Sequence, residues 1–238
     1  NTGDITWEKK LPGNAQLTSK ASASFVNRDV NTNVFGMKAT QLTWYSEVAY
    51  SKKSDHHNWV AGINFNGEDF RKRMPDSSLV PEEASATLGF FVQDDWKFND
   101  HFTLQAGLRA DAHSKYGTFI LPRLSLMYKA NHAITMRLGG GMGYKTPAIF
   151  NSEVDERDYH YLAGYMPGIS LNAERSIGAN YDINFKKKLG EWLLTINQTF
   201  FYNRINKPLL LQSPASVPPV LYYMNVAEPL QTTGFETY

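Results

Sequence analysis

Hydrophobic and polar residues alternate with a period of two along nearly the whole chain, and helical spacing is almost absent. From Phe102 to His113 one side carries Phe102, Leu104, Ala106, Leu108, Ala110 and Ala112, and the other Thr103, Gln105, Gly107, Arg109, Asp111 and His113. The same split recurs at Leu42, Trp44, Val48 and Tyr50 against Gln41, Thr43, Glu47 and Ser51, and at Trp59, Ala61, Ile63 and Phe65 against Gly62, Asn64 and Asn66. It returns at Ile134, Met136, Leu138, Met142 and Tyr144 against Thr135, Arg137 and three glycines. Ile177, Ala179, Tyr181, Ile183 and Phe185 oppose Asn180, Asp182, Asn184 and Lys186 in the same way. Segments of this kind are strands with one apolar and one wet face. They are longer than the roughly five or six residues usual in a soluble sandwich and match the about 9–11 residues of a tilted membrane-spanning strand.

An all-β, antiparallel transmembrane β-barrel is therefore expected, its apolar face turned to lipid and its polar face to the lumen. Trp44, Tyr50, Trp59, Trp96, Phe98, Phe102, Tyr128, Tyr144, Trp192 and Tyr202 suit the interfacial aromatic girdles of such a barrel. Connections supply an independent test, because these barrels join strands by short turns at one rim and longer loops at the other. Short turns are read at Leu11–Asn14, Lys53–His57, Asn99–His101, Ala130–His132 and Lys188–Gly190, which are rich in turn-forming residues. Between them lie connections at Asn27–Ala39, Arg71–Glu83, Ser114–Thr118, Lys145–Ser170 and Asn206–Leu221, all but one of them long. About eleven strands follow, in a single partial barrel domain over residues 1–238. Because closed bacterial barrels have even strand numbers and an open edge leaves backbone groups unpaired, the chain is expected to be part of a larger barrel, with Gly234–Tyr238 a strand cut off in progress.

Composition narrows the classes further. The chain of 238 residues has 24 Lys+Arg against 23 Asp+Glu, so no strong net field points to nucleic acid. Cysteine is absent, which excludes thiolate metal sites, thiol catalysis and disulfides. The apolar share is 42% while mean hydropathy is −0.41, as interleaving requires. The longest apolar runs, Leu88–Val92 and Pro208–Leu211, fall far short of the roughly 20 residues of a membrane-spanning helix. No basic-then-apolar leader opens the chain, so a secretory signal, if the native protein has one, is expected upstream of Asn1.

Three segments resemble, in order and spacing, the barrel of TonB-dependent receptors. The first is Phe91–Trp96, followed by Leu104–Asp111 and Leu121–Leu126, similar to the family's central strands. The second, Gly139–Phe150, resembles the glycine-rich strand that ends in a Phe-Arg-Ala-Pro box, with Tyr144-Lys145-Thr146-Pro147 standing there instead. The third runs from Leu171–Ser176 through Phe200–Ile205 to Asn225-Val226 and Gly234–Glu236. Residues 1–73 fit by pattern only. The resemblance implies roughly half of a 22-stranded barrel, with the plug domain absent from this chain. It also implies a Gram-negative outer-membrane location, coupling to a TonB-type inner-membrane partner, and uptake of a scarce chelate such as an iron–siderophore, haem or cobalamin. No resident cofactor and no covalent chemistry follow from it. The alternatives are a barrel enzyme such as a lipase or protease, and a soluble β-rich binding protein.

Candidate residues fall into two sets. Glu47, Asp95, Arg109, Asp111, Arg123, Arg137, Asp182 and Lys186 are expected to line the lumen, since a cation facing lipid at the bilayer midplane costs about 2–4 kcal/mol. Ligand contacts are expected on the loop side from Tyr144, Phe150, Tyr159, His160, Tyr161 and Tyr165, aromatics with a few polar groups that suit a flat or chelated ligand. His160 lies where haem receptors of this family carry an axial histidine, and imidazole is a competent iron ligand. The glycines Gly139, Gly140, Gly141 and Gly143 lack the Gly-Lys-Ser/Thr closure of a phosphate loop and sit inside a strand pattern. Neither His56-His57 nor Asp94-Asp95 makes a paired site, because adjacent side chains on a strand point apart.

Overall fold

In the computed structural model the described residues are 1–31, 36–73, 80–148, 161–165, 170–213 and 220–238. Eleven strands form one antiparallel sheet: β1 (Thr2–Leu11), β2 (Ala15–Asn31), β3 (Gly36–Lys53), β4 (His57–Lys72), β5 (Glu83–Lys97), β6 (Phe102–His113), β7 (Gly117–Lys129), β8 (Ile134–Lys145), β10 (Glu174–Leu189), β11 (Trp192–Asn206) and β14 (Leu230–Thr237). Three short strands, β9 (Leu162–Tyr165), β12 (Leu209–Gln212) and β13 (Leu221–Asn225), make a separate sheet in the order β12-β13-β9.

The short turns follow from local chemistry. Gly13 and Asn14 take positive φ (73° and 57°) between β1 and β2, and Gly190 (φ 62°) opens the two-residue turn between β10 and β11. Asn99 and Asn131 repeat one device: each side-chain Oδ1 accepts from two backbone N–H groups further on, His101 and Phe102 in one turn, Ala133 and Ile134 in the other, at 2.8 and 2.9 Å each. All five short turns lie at one rim. The other rim holds the long connections, and three differ from the sequence reading. The segment read as a loop at Asn27–Ala39 continues as paired strand through Asn31↔Gly36, and the two longest connections contain β9, β12 and β13.

Register places the apolar residues on one face from strand to strand. One row runs Val48, Ile63, Phe90, Ala110, Ile120, and another runs Leu104, Leu126, Leu138, Tyr181, Phe200, Phe235, each residue the ladder partner of the next. These side chains stand out from the surface: Leu138 is 58%, Leu124 57% and Phe90 53% exposed. An apolar belt of this extent is what a barrel wall presents to lipid. Trp59, Trp96, Phe98, Phe102, Tyr128 and Trp192 cluster at the short-turn rim, with Phe102 stacked on Tyr128 at 4.7 Å. Trp44 instead lies mid-strand, because β2 and β3 run on well past the level at which β6 ends.

The buried apolar core is not inside the sheet but at the loop rim. Met37, Ala39, Phe70, Val80, Leu162, Leu209 and Tyr223 pack together, with Met37 and Tyr223 at 0% exposure. Met37, Ala39 and Phe70 share the phase of the polar face, so the small sheet covers that face where its strands turn apolar. Asn225 ties the cap down, accepting from the Asn172 N–H (2.7 Å) and donating to the carbonyls of Lys207 (2.8 Å) and Asn172 (3.0 Å).

Candidate functional site

The polar face is concave. Residues of β2 (Ser22, Ser24), β3 (Tyr45), β6 (Arg109) and β8 (Tyr144) line a single hollow of ≈550 Å³, which strands so far apart in sheet order can do only if the sheet curls. A second hollow of ≈470 Å³, nearer the short-turn rim, is lined by Arg123, Arg137, Asp182 and the glycine-rich stretch of β8. Gly139, Gly141 and Gly143 face it, so the motif that could pass for a phosphate loop is strand whose missing side chains leave the hollow open.

Asp111 lies buried behind the wall of the first hollow, against Arg109 and Tyr144, which line it. It is 2% exposed and accepts from Arg109 Nε through both oxygens (2.8 and 3.0 Å) and from the Tyr144 hydroxyl (2.9 Å). Asn64, its amide oriented to satisfy both neighbours, accepts from Arg109 Nη2 (3.1 Å) and donates to the Gly89 carbonyl (3.2 Å). Gly89 makes the arrangement possible, since a Cβ there would collide with the Asn64 amide and fall 2.6 Å from Asp111 Oδ1. One strand beyond Asn64, the Tyr45 hydroxyl donates to Glu47 (2.6 Å), which Lys20 approaches at 3.8 Å. These groups form a pre-paired lining of mixed sign, with charge-assisted bonds fixing each rotamer.

Each of the eight charged residues expected on the lumen side lies on this face by register. Asp95 accepts from Gln105 (2.7 Å) and Gln93 (3.4 Å), and Asp182 from the Thr199 hydroxyl (2.7 Å). Arg137 stands directly across from Asp182 and donates weakly to Met127 Sδ at 3.8 Å. Arg123 lines the second hollow, while Lys186 sits beside the short-turn rim. Asp94, next to Asp95 but on the apolar face, pairs with His57 Nδ1 at 2.6 Å. The Ser54 hydroxyl donates to the His57 carbonyl (3.2 Å), not to its ring. Among the described residues no group of three or more His, Asp or Glu is placed to hold a metal ion.

Of the residues expected to meet a ligand, Phe150, Tyr159 and His160 lie outside the described residues. Tyr161 immediately precedes β9, and Tyr165 ends β9 in register with Tyr223. Tyr144 corrects its expected orientation. Alternation places it with Leu138 and Met142 on the apolar face, yet its ring stacks on Phe119 (3.8 Å, 4° between planes) and its hydroxyl reaches Asp111. The ladder between β7 and β8 ends at Arg123↔Gly141 while β8 continues against β10, and the ring turns into the gap so opened. Sequence reasoning also missed Tyr45 and the rim core, whose available signal was apolar residues at Met37, Ala39 and Phe70 on the polar phase.

The whole chain can be compared with known proteins. Residues 2–237 match the family described as TonB dependent receptor-like, beta-barrel. The chain belongs to that family. Among solved structures this receptor barrel is similar to the siderophore receptor PirA from Pseudomonas aeruginosa, with TM-score 0.71 and 20% identity, covering 99% of this chain and 43% of PirA. A Serratia marcescens hemophore receptor HasR, solved with its hemophore HasA and heme, gives TM-score 0.78 at 13% identity, covering 99% and 45%. The FrpB iron transporter of Neisseria meningitidis gives 0.74 at 13%, covering 99% and 41%. At these identities the likeness is one of fold, and the chain spans under half the length of each structure. No curated protein sequence matches it.

Proposed function

We propose that this receptor barrel segment is wall and outer rim of an energy-coupled uptake receptor in the outer membrane of a Gram-negative bacterium, taking up a metal chelate such as an iron–siderophore or haem. The observation that carries the reading is the pairing of an outward apolar belt with a polar, pre-organised concave face capped at the long-loop rim only. A wall of this kind holds a wet interior within lipid and presents ligand-capturing loops on one side. Residues 1–238 act as one barrel unit, and Arg109, Arg123, Arg137 and their carboxylate neighbours face a plug domain or the transport path. Tyr144, Phe150, Tyr159, His160, Tyr161 and Tyr165 contribute to capture at the loop rim. Energy comes from a TonB-type inner-membrane coupler, and no bond of the ligand is broken, so the protein is not an enzyme. The structurally similar proteins bear names of a siderophore receptor, a hemophore receptor and an iron transporter, which favours iron chelates over other nutrients.

The test is uptake of radiolabelled iron, offered as siderophores or haem, by cells whose only receptor is the full-length protein. Accumulation that vanishes when the coupler gene is deleted is the expected result. Accumulation of no chelate, or uptake indifferent to the coupler, overturns the reading. Titrating the purified receptor with haem checks His160 separately: a His160→Ala protein with an unaltered haem absorption band removes that residue from the site.

A further inference from the structure

At the loop rim, on the far side of Phe119 from the first hollow, a third cavity of ≈340 Å³ is lined by Lys115, Arg175 and Lys207 together with Tyr116, Asn172 and Asn206, and none of its described lining residues is acidic. Phe119 is the partition. Tyr144 stacks flat on its ring at 3.8 Å, and the Arg175 guanidinium lies over the ring at 4.9 Å, so the two occupy opposite faces. Register gives Arg175 and Asn206, which are cross-strand partners, the same phase as Ile177 and Arg204, next along the same two strands, and as Ala179 and Tyr202 after them. This is the face of the exposed apolar belt. Reading along β11, that face runs Trp192, Leu194, Ile196, Gln198, Phe200, Tyr202 and then changes abruptly to Arg204.

Among the described residues, Arg175, Arg204 and Lys207 are held but not neutralised by their contacts. Arg175 gives one long hydrogen bond to the Thr118 carbonyl (3.5 Å), Lys207 one to Asn172 Oδ1 (3.4 Å), and Arg204 one to Asn206 Oδ1 (3.2 Å). All three acceptors are uncharged. Lys115 differs, since it pairs with the buried Glu83 at 3.2 Å. The Glu174 carboxylate beside Arg175 accepts from the Leu209 N–H (2.6 Å). Guanidinium groups retain several donors in a planar fork suited to oxyanions. Cations seated directly above an apolar belt suit the headgroups of anionic lipids.

We propose that Arg175, Arg204 and Lys207 form a binding site for the phosphate of an anionic lipid headgroup in the leaflet at the loop rim. The site rests on the reading that the apolar belt faces a bilayer, and the tests of the two are separable. Full-length receptor is purified in detergent, loaded with phosphatidylglycerol or phosphatidylcholine, and the bound lipid is counted by native mass spectrometry. Wild type retains phosphatidylglycerol in preference to phosphatidylcholine. Combined Arg204→Gln and Lys207→Gln substitution, which leaves the Phe119 stack intact, weakens retention about twenty-five-fold, or about fivefold per cation. Adding Arg175→Gln weakens it further, whereas Arg175→Lys restores most of it. Lys187→Gln, at the opposite rim on the same face, changes nothing. Equal retention by wild type and the double variant, or displacement of the lipid by inorganic phosphate alone, overturns the site. A receptor that stays dispersed and folded without detergent instead overturns the lipid-facing reading beneath it.

Discussion

The hydroxyl of Tyr144 donates to Oδ2 of Asp111 across 2.9 Å, joining a residue whose place in the alternation points outward to one that points inward. The bond is possible because β7 and β8 part beyond Arg123↔Gly141 and the Tyr144 ring turns into the space against Phe119. Removing the hydroxyl leaves the ring stack and Arg109 in place, so Tyr144→Phe should cost about 1 kcal/mol. Asp111→Ala is more severe, because it leaves the Arg109 guanidinium and the Tyr144 hydroxyl without their shared acceptor. A loss of about 1–3 kcal/mol is expected, since Arg109 is partly exposed and water replaces some of the lost interaction. Urea unfolding of the full-length receptor in bilayers measures both, and a Tyr144→Phe cost matching that of Asp111→Ala would show that the bond, not the ion pair, dominates.

Gly89 and Gly107 both lie on the concave face, but only one has neighbours where a side chain would go. A Cβ at Gly89 would collide with Asn64 and Asp111, and Gly89→Ala is expected to break the Asn64–Arg109–Asp111 arrangement at a cost of about 1–3 kcal/mol. At Gly107 the nearest atom to a new Cβ is 3.7 Å away, so Gly107→Ala should be neutral or slightly stabilising. Equal destabilisation by the two substitutions in the same unfolding assay would contradict the packing drawn around Asp111.

Alternation made the wall legible: the strand series through Phe102–His113 needs only period two, and the structure has the same faces in the same order. Turn positions were legible for the same reason, because Gly13, Asn99, Asn131 and Gly190 carry conformations or side-chain acceptors that a turn demands. Tyr144 was not, since its orientation depends on where one ladder stops, a long-range event that no local pattern records. The rim core was missed because Leu162 comes from one connection and Leu209 and Tyr223 from another, and the two become neighbours only after the sheet has curled. Gly89 was hidden too, for its role lies in the approach of Asn64 and Asp111 from the two adjacent strands.

At the short-turn rim, Lys97 donates to Asp100 at 2.8 Å, and this bond and charge hold the Asp100 carboxyl below its usual pKa. The sign follows: a lowered folded pKa means that the pairing is present above the ordinary carboxylate range and lost as pH falls through the lower folded value. Because Asp100 is fully exposed, the effect belongs to the turn and not to the barrel. Following the carboxyl resonance of Asp100 through an acid titration, Lys97→Met should raise its midpoint toward the ordinary aspartate value. An unmoved midpoint would assign the shift to something other than Lys97.

Leu138 and Gln105 test the two faces at one level of the wall, since Leu104 is linked through Leu126 to Leu138 by register and Gln105 is its neighbour on the opposite face. Leu138 is among the most exposed apolar residues of the belt, while Gln105 donates to Asp95 across 2.7 Å on the concave side. Placing Arg at 138 puts a cation against hydrocarbon on the apolar belt, at an expected cost of about 1–4 kcal/mol depending on its depth. Arg at 105 keeps a carboxylate partner within reach and a wet surface around it, so Gln105→Arg should cost under about 1 kcal/mol. The measurement is the fraction of full-length receptor folded into phosphatidylcholine vesicles across a urea series. If Leu138→Arg folds as readily as Gln105→Arg, the exposed belt does not meet lipid, and the inward and outward faces of the barrel have been assigned the wrong way round.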